Sequence, residues 1–117
     1  MAGEDLRDEL NFAAMQIILH AGDAKMKIES ALDEVNNLRF EKAFSLLDDA
    51  EKDILEAHQS QTKIIQDEAG GKEYPNSLLF NHAQDTMMIA MNDLAMAKKM
   101  IRIFESVAVR TGIITKE

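Results

Sequence analysis

Hydrophobic residues recur along the chain at alternating spacings of three and four residues, the pattern of a helix with one buried face. The first run predicts a helix over residues 5–37, which the Asn36-Asn37 pair ends. Gly22 interrupts this helix, and we expect it to permit close packing of a neighbour. The expected core positions are Leu10, Ala14, Ile17, Ala21, Ala24, Ile28, Ala31, Val35 and Leu38.

A second run of the same kind predicts a helix over residues 40–69, followed by the Gly70-Gly71 turn. One polar residue, Gln61, falls on its apolar face, where it needs a hydrogen-bonding partner. The expected core positions are Phe40, Ala43, Leu47, Ala50, Ile54, Ala57, Gln61 and Ile64.

The third run predicts a helix over residues 77–107, capped by Asn76 or Ser77. Its expected core positions are Phe80, Ala83, Met87, Ala90, Leu94, Ala97, Ile101, Phe104 and Ala108. Ile89, Met96 and Ile103 form a further apolar column in line with His82. A helix that is apolar on more than one side is buried on more than one side. We therefore expect self-association through the third helix.

Three long helices with short connections predict an all-α fold, an up-down-up antiparallel three-helix bundle. We interpret residues 1–117 as a single domain. The tail over residues 110–117 is expected to be loosely ordered.

The chain is acidic, with 21 Asp and Glu against 13 Lys and Arg and a net charge of −8. This balance disfavours non-specific nucleic-acid binding, which needs clustered basic residues. The chain has no cysteine, which excludes disulfides and fits a reducing compartment. The acidic N-terminus is unlike a signal peptide, and the uncharged stretch over residues 10–22 is shorter than the ~20 residues that span a bilayer. We expect a soluble, cytoplasmic protein.

His82 is the leading candidate for chemistry. Asp85 follows it at i+3, so both side chains share a helix face close to a helix start, where anions such as a phosphoryl group are favoured. An imidazole near a carboxylate is a candidate nucleophile, base or metal ligand. The alternative interpretation is a surface histidine beside an acid.

The other two histidines have simpler interpretations. His20 precedes Asp23 at the same spacing, and two such pairs raise the question of a metal site inside the bundle. A di-iron bundle requires Glu-x-x-His motifs, and none occurs here. We therefore expect His20 to be a packing or supporting residue, and His58, which has no acid at i+3 or i+4, to make a structural hydrogen bond.

Three motifs together resemble one family. Residues 78–88, with His82-Ala83-Gln84-Asp85, are similar to the active-site signature of the lactose/cellobiose-type IIA components of the bacterial phosphoenolpyruvate-dependent sugar phosphotransferase system. Residues 56–62 (Glu-Ala-His-Gln-Ser-Gln-Thr) and 20–24 (His-Ala-Gly-Asp-Ala) resemble that family's second-helix and first-helix motifs, in the same order.

The resemblance implies a homotrimer built around the third helices. It implies that His82 is phosphorylated by the phosphocarrier HPr and passes the phosphoryl group to a cysteine of the IIB component during uptake of a β-linked disaccharide. Asp85 matches the position where three carboxylates meet a divalent cation, expected to be Mg²⁺, on the trimer axis. Gln84 lies beside that site, and His58 and Gln61 are expected to support it.

One residue departs from the family pattern. Many members carry histidine where this chain has Thr86, so any secondary role of that histidine is absent. The membrane is reached only indirectly, through the IIC component, and nothing in the sequence identifies the sugar. The competing hypotheses are a non-catalytic helical adaptor and a histidine phosphotransfer domain, whose His-x-x-Lys-Gly pattern is missing here.

Overall fold

Each predicted helix is present. The computed structural model describes residues 2–115, except for the side chain of Ala2, and these residues form three α-helices and no strand. Helix α1 spans Ala2–Asn36, α2 spans Phe40–Ala69 and α3 spans Leu78–Arg110. They form an elongated bundle of 66 × 21 × 18 Å, in which α1 packs against both other helices more extensively than α2 packs against α3. The all-α three-helix prediction is confirmed.

All three helices end in the same hydrogen-bonded turn. In each, one backbone N–H returns to a carbonyl five residues earlier and the preceding N–H to a carbonyl three residues earlier, which is the Schellman motif. The residue inside this turn has a positive φ, at 60° for Leu38, 108° for Gly71 and 76° for Gly112. Glycine favours that conformation, whereas leucine is strained in it. Leu38 therefore occupies a position that suits glycine.

The core is built largely of alanines flanked by a few large side chains. Ile17, Leu47, Met87 and Ile101 are the largest of the side chains that are almost completely buried. Small residues let the helix axes approach closely, and the larger ones fill the space between them. Most of the residues on the three predicted core faces are buried.

Four predicted core residues are less buried than expected, and one of them, Gln61, is partly buried. Leu38 is 45% exposed because its positive φ takes it off the face of α1. Phe104 is 51% exposed and Val35 is half-buried. Both of these line an apolar cleft of about 530 Å³ between the last turn of α1 and the end of α3, which leaves them only partly covered.

Two further expectations need correction. A Cβ atom added to Gly22 would meet no atom within 4 Å, so this glycine does not serve close packing inside the chain. The tail is more ordered than predicted, since Arg110 ends α3 and the N–H groups of Ile113 and Ile114 both donate to the carbonyl of Ala108. Ile114 also packs against the core, while Lys116 and Glu117 lie outside the described residues.

Candidate functional site

The start of α3 is set by its sequence. Ser77 has an extended backbone, and its hydroxyl oxygen accepts a 3.0 Å hydrogen bond from the N–H of Phe80, so Ser77 is the N-cap. Pro75 and Asn76 precede this cap in a loop without regular secondary structure. His82 thus lies just over one turn into α3, and because side chains of a helix lean toward its N-terminus, its ring projects over the first turn.

The His82 side chain is exposed and makes no hydrogen bond or ion pair within residues 2–115. Its backbone carbonyl accepts a 2.8 Å hydrogen bond from the Thr86 hydroxyl, a bond that stays within the helix. The ring is therefore free to meet another molecule. The sequence predicted a position on the margin of an apolar groove, and within one chain the ring is open to solvent.

Asp85 shares this exposed face. Its carboxylate is also without a hydrogen-bond or ion-pair partner in the described part of the chain. The same face continues with Ile89, Met96 and Ile103, each between 51% and 61% exposed. A carboxylate and an imidazole at one end of an uncovered apolar stripe indicate a surface completed by another protein.

Gln84 points the other way, toward α2. Its Oε1 accepts a 2.8 Å hydrogen bond from Nε2 of Gln61, and both side chains are partly buried. This contact confirms that Gln61 has a hydrogen-bonding partner on the core face. Gln84 is separated from the exposed His82–Asp85 face and supports it only through the position of α3.

His58 is exposed on α2, and its Nδ1 lies 3.3 Å from the Thr62 hydroxyl. This is the structural contact expected for it. The ring makes no contact with His82 among the described residues, so any support for the site is indirect.

A polar cluster braces the start of α3 and was not predicted. The Tyr74 hydroxyl lies 2.8 Å from Glu9 Oε1 and 3.1 Å from Asp67 Oδ2 and shares its one proton between the two carboxylates. Lys72 Nζ donates to Glu9 Oε1 at 3.0 Å. Burial and the two carboxylates raise the pKa of Tyr74 well above its usual value. The hydrogen bond from Tyr74 in turn lowers the pKa of Glu9. The cluster joins α1, the end of α2 and the loop before α3.

His20 also lies in a cluster that the sequence did not predict. One ring nitrogen of His20 and one carboxylate oxygen each of Asp23 and Asp53 lie within 4.8 Å of one another. His20 Nδ1 is 3.0 Å from Glu56 Oε2. On α2, Asp53 and Glu56 have the i, i+3 spacing of His20 and Asp23, but the sequence does not reveal that the two pairs face each other.

Comparison with known proteins assigns the chain to a family. Residues 12–105 match the family described as the PTS system, Lactose/Cellobiose specific IIA subunit. The chain belongs to this lactose/cellobiose IIA family. Components of this family serve phosphoryl transfer in sugar uptake, so the match favours that function over a helical adaptor or a histidine phosphotransfer domain.

Individual relatives agree with the family match. This IIA chain is 35% identical over 107 residues to the lichenan-specific phosphotransferase enzyme IIA component of Bacillus subtilis strain 168, covering 92% of this chain and 97% of the relative. It is 35% identical over 101 residues to the lactose-specific EIIA component of Lacticaseibacillus casei, covering 86% and 90%. The crystal structure of the cellobiose-specific enzyme IIA from Bacillus anthracis superposes with a TM-score of 0.79 at 31% identity, covering 83% of this chain and 89% of that one.

The structure also bears on membrane contact. Within residues 2–115, none of the helices combines the length and the apolar character needed to cross a bilayer.

Proposed function

We propose that His82 of this IIA component accepts a phosphoryl group from HPr and passes it to a cysteine of the cognate IIB component, during uptake of a β-linked disaccharide. The observation that carries the proposal is the exposed, unpartnered ring of His82 at the first turn of α3, inside the segment that matches the family. A carrier residue that serves two partners in turn needs such access.

The transfer is an in-line displacement at phosphorus. A lone pair of a His82 ring nitrogen forms the new N–P bond while the N–P bond to the donor's imidazole breaks, and the donor ring keeps the electron pair. In the second transfer, a cysteine thiolate of IIB attacks the same phosphorus and the His82 ring leaves. The chain contributes position and charge stabilisation rather than further covalent chemistry.

The start of α3 suits the charge that the phosphoryl group carries. The first N–H groups of a helix lack acceptors within the helix, and the positive end of the helix dipole lies there. Ser77 occupies the N–H of Phe80, which leaves the N–H groups of Leu78 and Leu79 nearest to the solvent. Because they lie about one turn before His82 on the same helix, we expect these groups to be the backbone donors for phosphoryl oxygens on its ring.

Assembly as a homotrimer through α3 is part of the proposal. Large exposed side chains on α3, each more than half exposed, support it: Leu78, Met88, Ile89, Met96, Ile103, Phe104 and Val107. Phe12, Met15, Leu19 and Met26 add an exposed apolar stripe on α1. So much apolar surface on one small chain is typical of a subunit with a buried interface.

Asp85 fits a divalent cation on the axis of such a trimer. Its carboxylate has no partner in the described chain, and it stands in line with apolar residues, where an unpaired charge is costly. Three copies of Asp85 would supply hard oxygen ligands, the type that Mg²⁺ prefers. When bound, the cation supplies charge neutralisation between the three carboxylates, and His82 and its helix start carry the transfer.

The test is phosphorylation of the purified protein by phosphoenolpyruvate, enzyme I and HPr, measured by intact mass. Wild type and the His58→Gln control are expected to gain one acid-labile phosphate per chain, and His82→Gln none. No phosphate on wild type would contradict the carrier function. A phosphate that persists on His82→Gln would contradict the residue and leave the family assignment in place.

A further inference from the structure

A cluster of possible metal-ligating side chains lies between α1 and α2. Its residues come as two pairs at i, i+3 spacing: His20 with Asp23 on α1, and Asp53 with Glu56 on α2. The ligand atoms of His20, Asp23 and Asp53 lie within 4.8 Å of one another. Ligand atoms around a four-coordinate zinc ion are about 3.4 Å apart, given bonds of about 2.1 Å. The side chains therefore need to close by up to roughly 1.4 Å, which exposed and half-buried groups can do by rotation.

The histidine separates this cluster from an ordinary patch of surface acids. Glu56 Oε2 lies 3.0 Å from Nδ1 of His20, and a carboxylate at that distance favours the proton on Nδ1. The other ring nitrogen, Nε2, then carries the lone pair. A carboxylate that holds one nitrogen while the other binds metal is the common arrangement of histidine ligands in metal sites.

A positive charge already occupies part of the cluster. Lys27 Nζ donates a 2.7 Å hydrogen bond to Asp53 Oδ2, and Asp53 is the more buried partner. The lysine side chain is 37% exposed, so it has room to swing away and leave the oxygen to another cation.

We propose that His20, Asp23 and Asp53 bind a divalent transition-metal ion of the Zn²⁺ type, with Glu56 positioning the His20 ring. One imidazole nitrogen and two carboxylate oxygens form a ligand set that zinc accepts and that Mg²⁺ does not prefer. The ion replaces the Lys27 ammonium at Asp53 and links α1 to α2. This centre is independent of His82 and of the cation proposed at Asp85.

The test is calorimetric titration of the full-length protein with Zn²⁺ as the probe. The buffer contains excess Mg²⁺, so that the cation site proposed at Asp85 is occupied before zinc is added. We expect one zinc ion per chain and a thermal midpoint that rises with zinc. His20→Gln is expected to weaken binding by at least about tenfold. His58→Gln and His82→Gln are the matched controls, since each removes an exposed histidine elsewhere, and both are expected to bind as wild type does.

Lys27→Met provides a second variant whose effect has the opposite sign. Removal of the competing ammonium is expected to tighten zinc binding several-fold. No zinc binding by wild type, equal affinity in His20→Gln, or loss in His82→Gln alone would each overturn the proposal. Unchanged or weaker binding in Lys27→Met would also overturn it, because Asp53 would then not be a ligand. Circular dichroism of each variant establishes that the helices are intact.

Discussion

The side-chain amide of Gln61 donates a 2.8 Å hydrogen bond to the carbonyl oxygen of Gln84, across the crevice between α2 and α3. These two helices share the least extensive of the three helix–helix contacts. Gln84 stands two residues after His82, so this bond fixes the part of α3 that presents the ring. The Gln61–Gln84 hydrogen bond thus holds α3 against α2 on the side of the helix opposite the exposed site.

Gln61→Leu is expected to lower the free energy of unfolding by about 1 kcal/mol, because it leaves the partly buried amide of Gln84 without its partner. The double variant with Gln84→Leu is expected to recover part of that loss, since neither polar group remains. Urea denaturation followed by circular dichroism measures both. Gln59→Leu, at an exposed position on α2, is the control, and an equal loss there would show that the pair has no special role.

Leu38→Gly is expected to stabilise the protein by roughly 1 kcal/mol, because glycine relieves the left-handed strain at this helix end. Leu38 is 45% exposed, so the apolar burial lost in return is only that of a partly covered side chain. The matched variant Gly71→Ala places a side chain at φ 108° in the equivalent turn and is expected to destabilise. Denaturation midpoints compare the two, and a destabilised Leu38→Gly would mean that its side-chain contacts outweigh the strain.

Acid is expected to lower the stability that the polar cluster around Tyr74 contributes to the fold. The pKa of Glu9 lies below its ordinary value of 4.5, first because of the hydrogen bond from Tyr74. Burial alone would raise the pKa of Asp67, but hydrogen bonds from Tyr74 and Lys63 lower it below 3.8. Groups whose pKa is lowered by folding stabilise the protein above their ordinary values, and that stability is lost as the pH falls through and below about 4.

Tyr74→Phe tests this expectation, because it removes both phenolic hydrogen bonds. Thermal midpoints between pH 7 and pH 3 are expected to fall less steeply for Tyr74→Phe than for wild type. Lys98→Met, which removes the 3.0 Å contact between Lys98 and Glu51 elsewhere in the bundle, serves as the control. Parallel curves for wild type and Tyr74→Phe would refute the assigned cause.

Metal removal is expected to separate the proposed trimer. With Asp85 charged, three subunits repel one another on the axis unless a cation is present, so a chelator is expected to shift wild type toward monomer. Asp85→Asn removes the repulsion and is expected to stay trimeric with or without chelator. Sedimentation velocity measures the state, with Asp93→Asn as a control on the same helix. A wild-type trimer that stays intact in the presence of the chelator would contradict the proposed role of Asp85 as a ligand of the cation.

The helices were predictable because their signals are local. Ser77 caps its own helix, Gly71 closes its own turn, and the three-four spacing marks the buried face without reference to any other part of the chain. Leu38 and Phe104 were predicted wrongly for a related reason. Periodicity extends a stripe to the last apolar residue, but burial also requires that neighbouring side chains cover the residue, and Phe104 faces an open cleft beside the last turn of α1.

The clusters around Tyr74 and His20 could not be predicted from the sequence. Tyr74 and Glu9 are separated by 65 residues, and their contact depends on the axial register of the helices. The same holds for His20 and Asp53. A shift of one helical turn, about 5.4 Å, would leave every apolar stripe intact and break both clusters. Spacing within a helix is readable from sequence, whereas register between helices is set by packing.

Tyr74 gives this protein a spectroscopic probe of its own. The chain has one tyrosine and no tryptophan, so its ultraviolet fluorescence arises from a single ring at the junction of α1, α2 and the loop before α3. A change in that fluorescence during refolding therefore reports the docking of the loop before α3 onto α1 and α2, with no label attached.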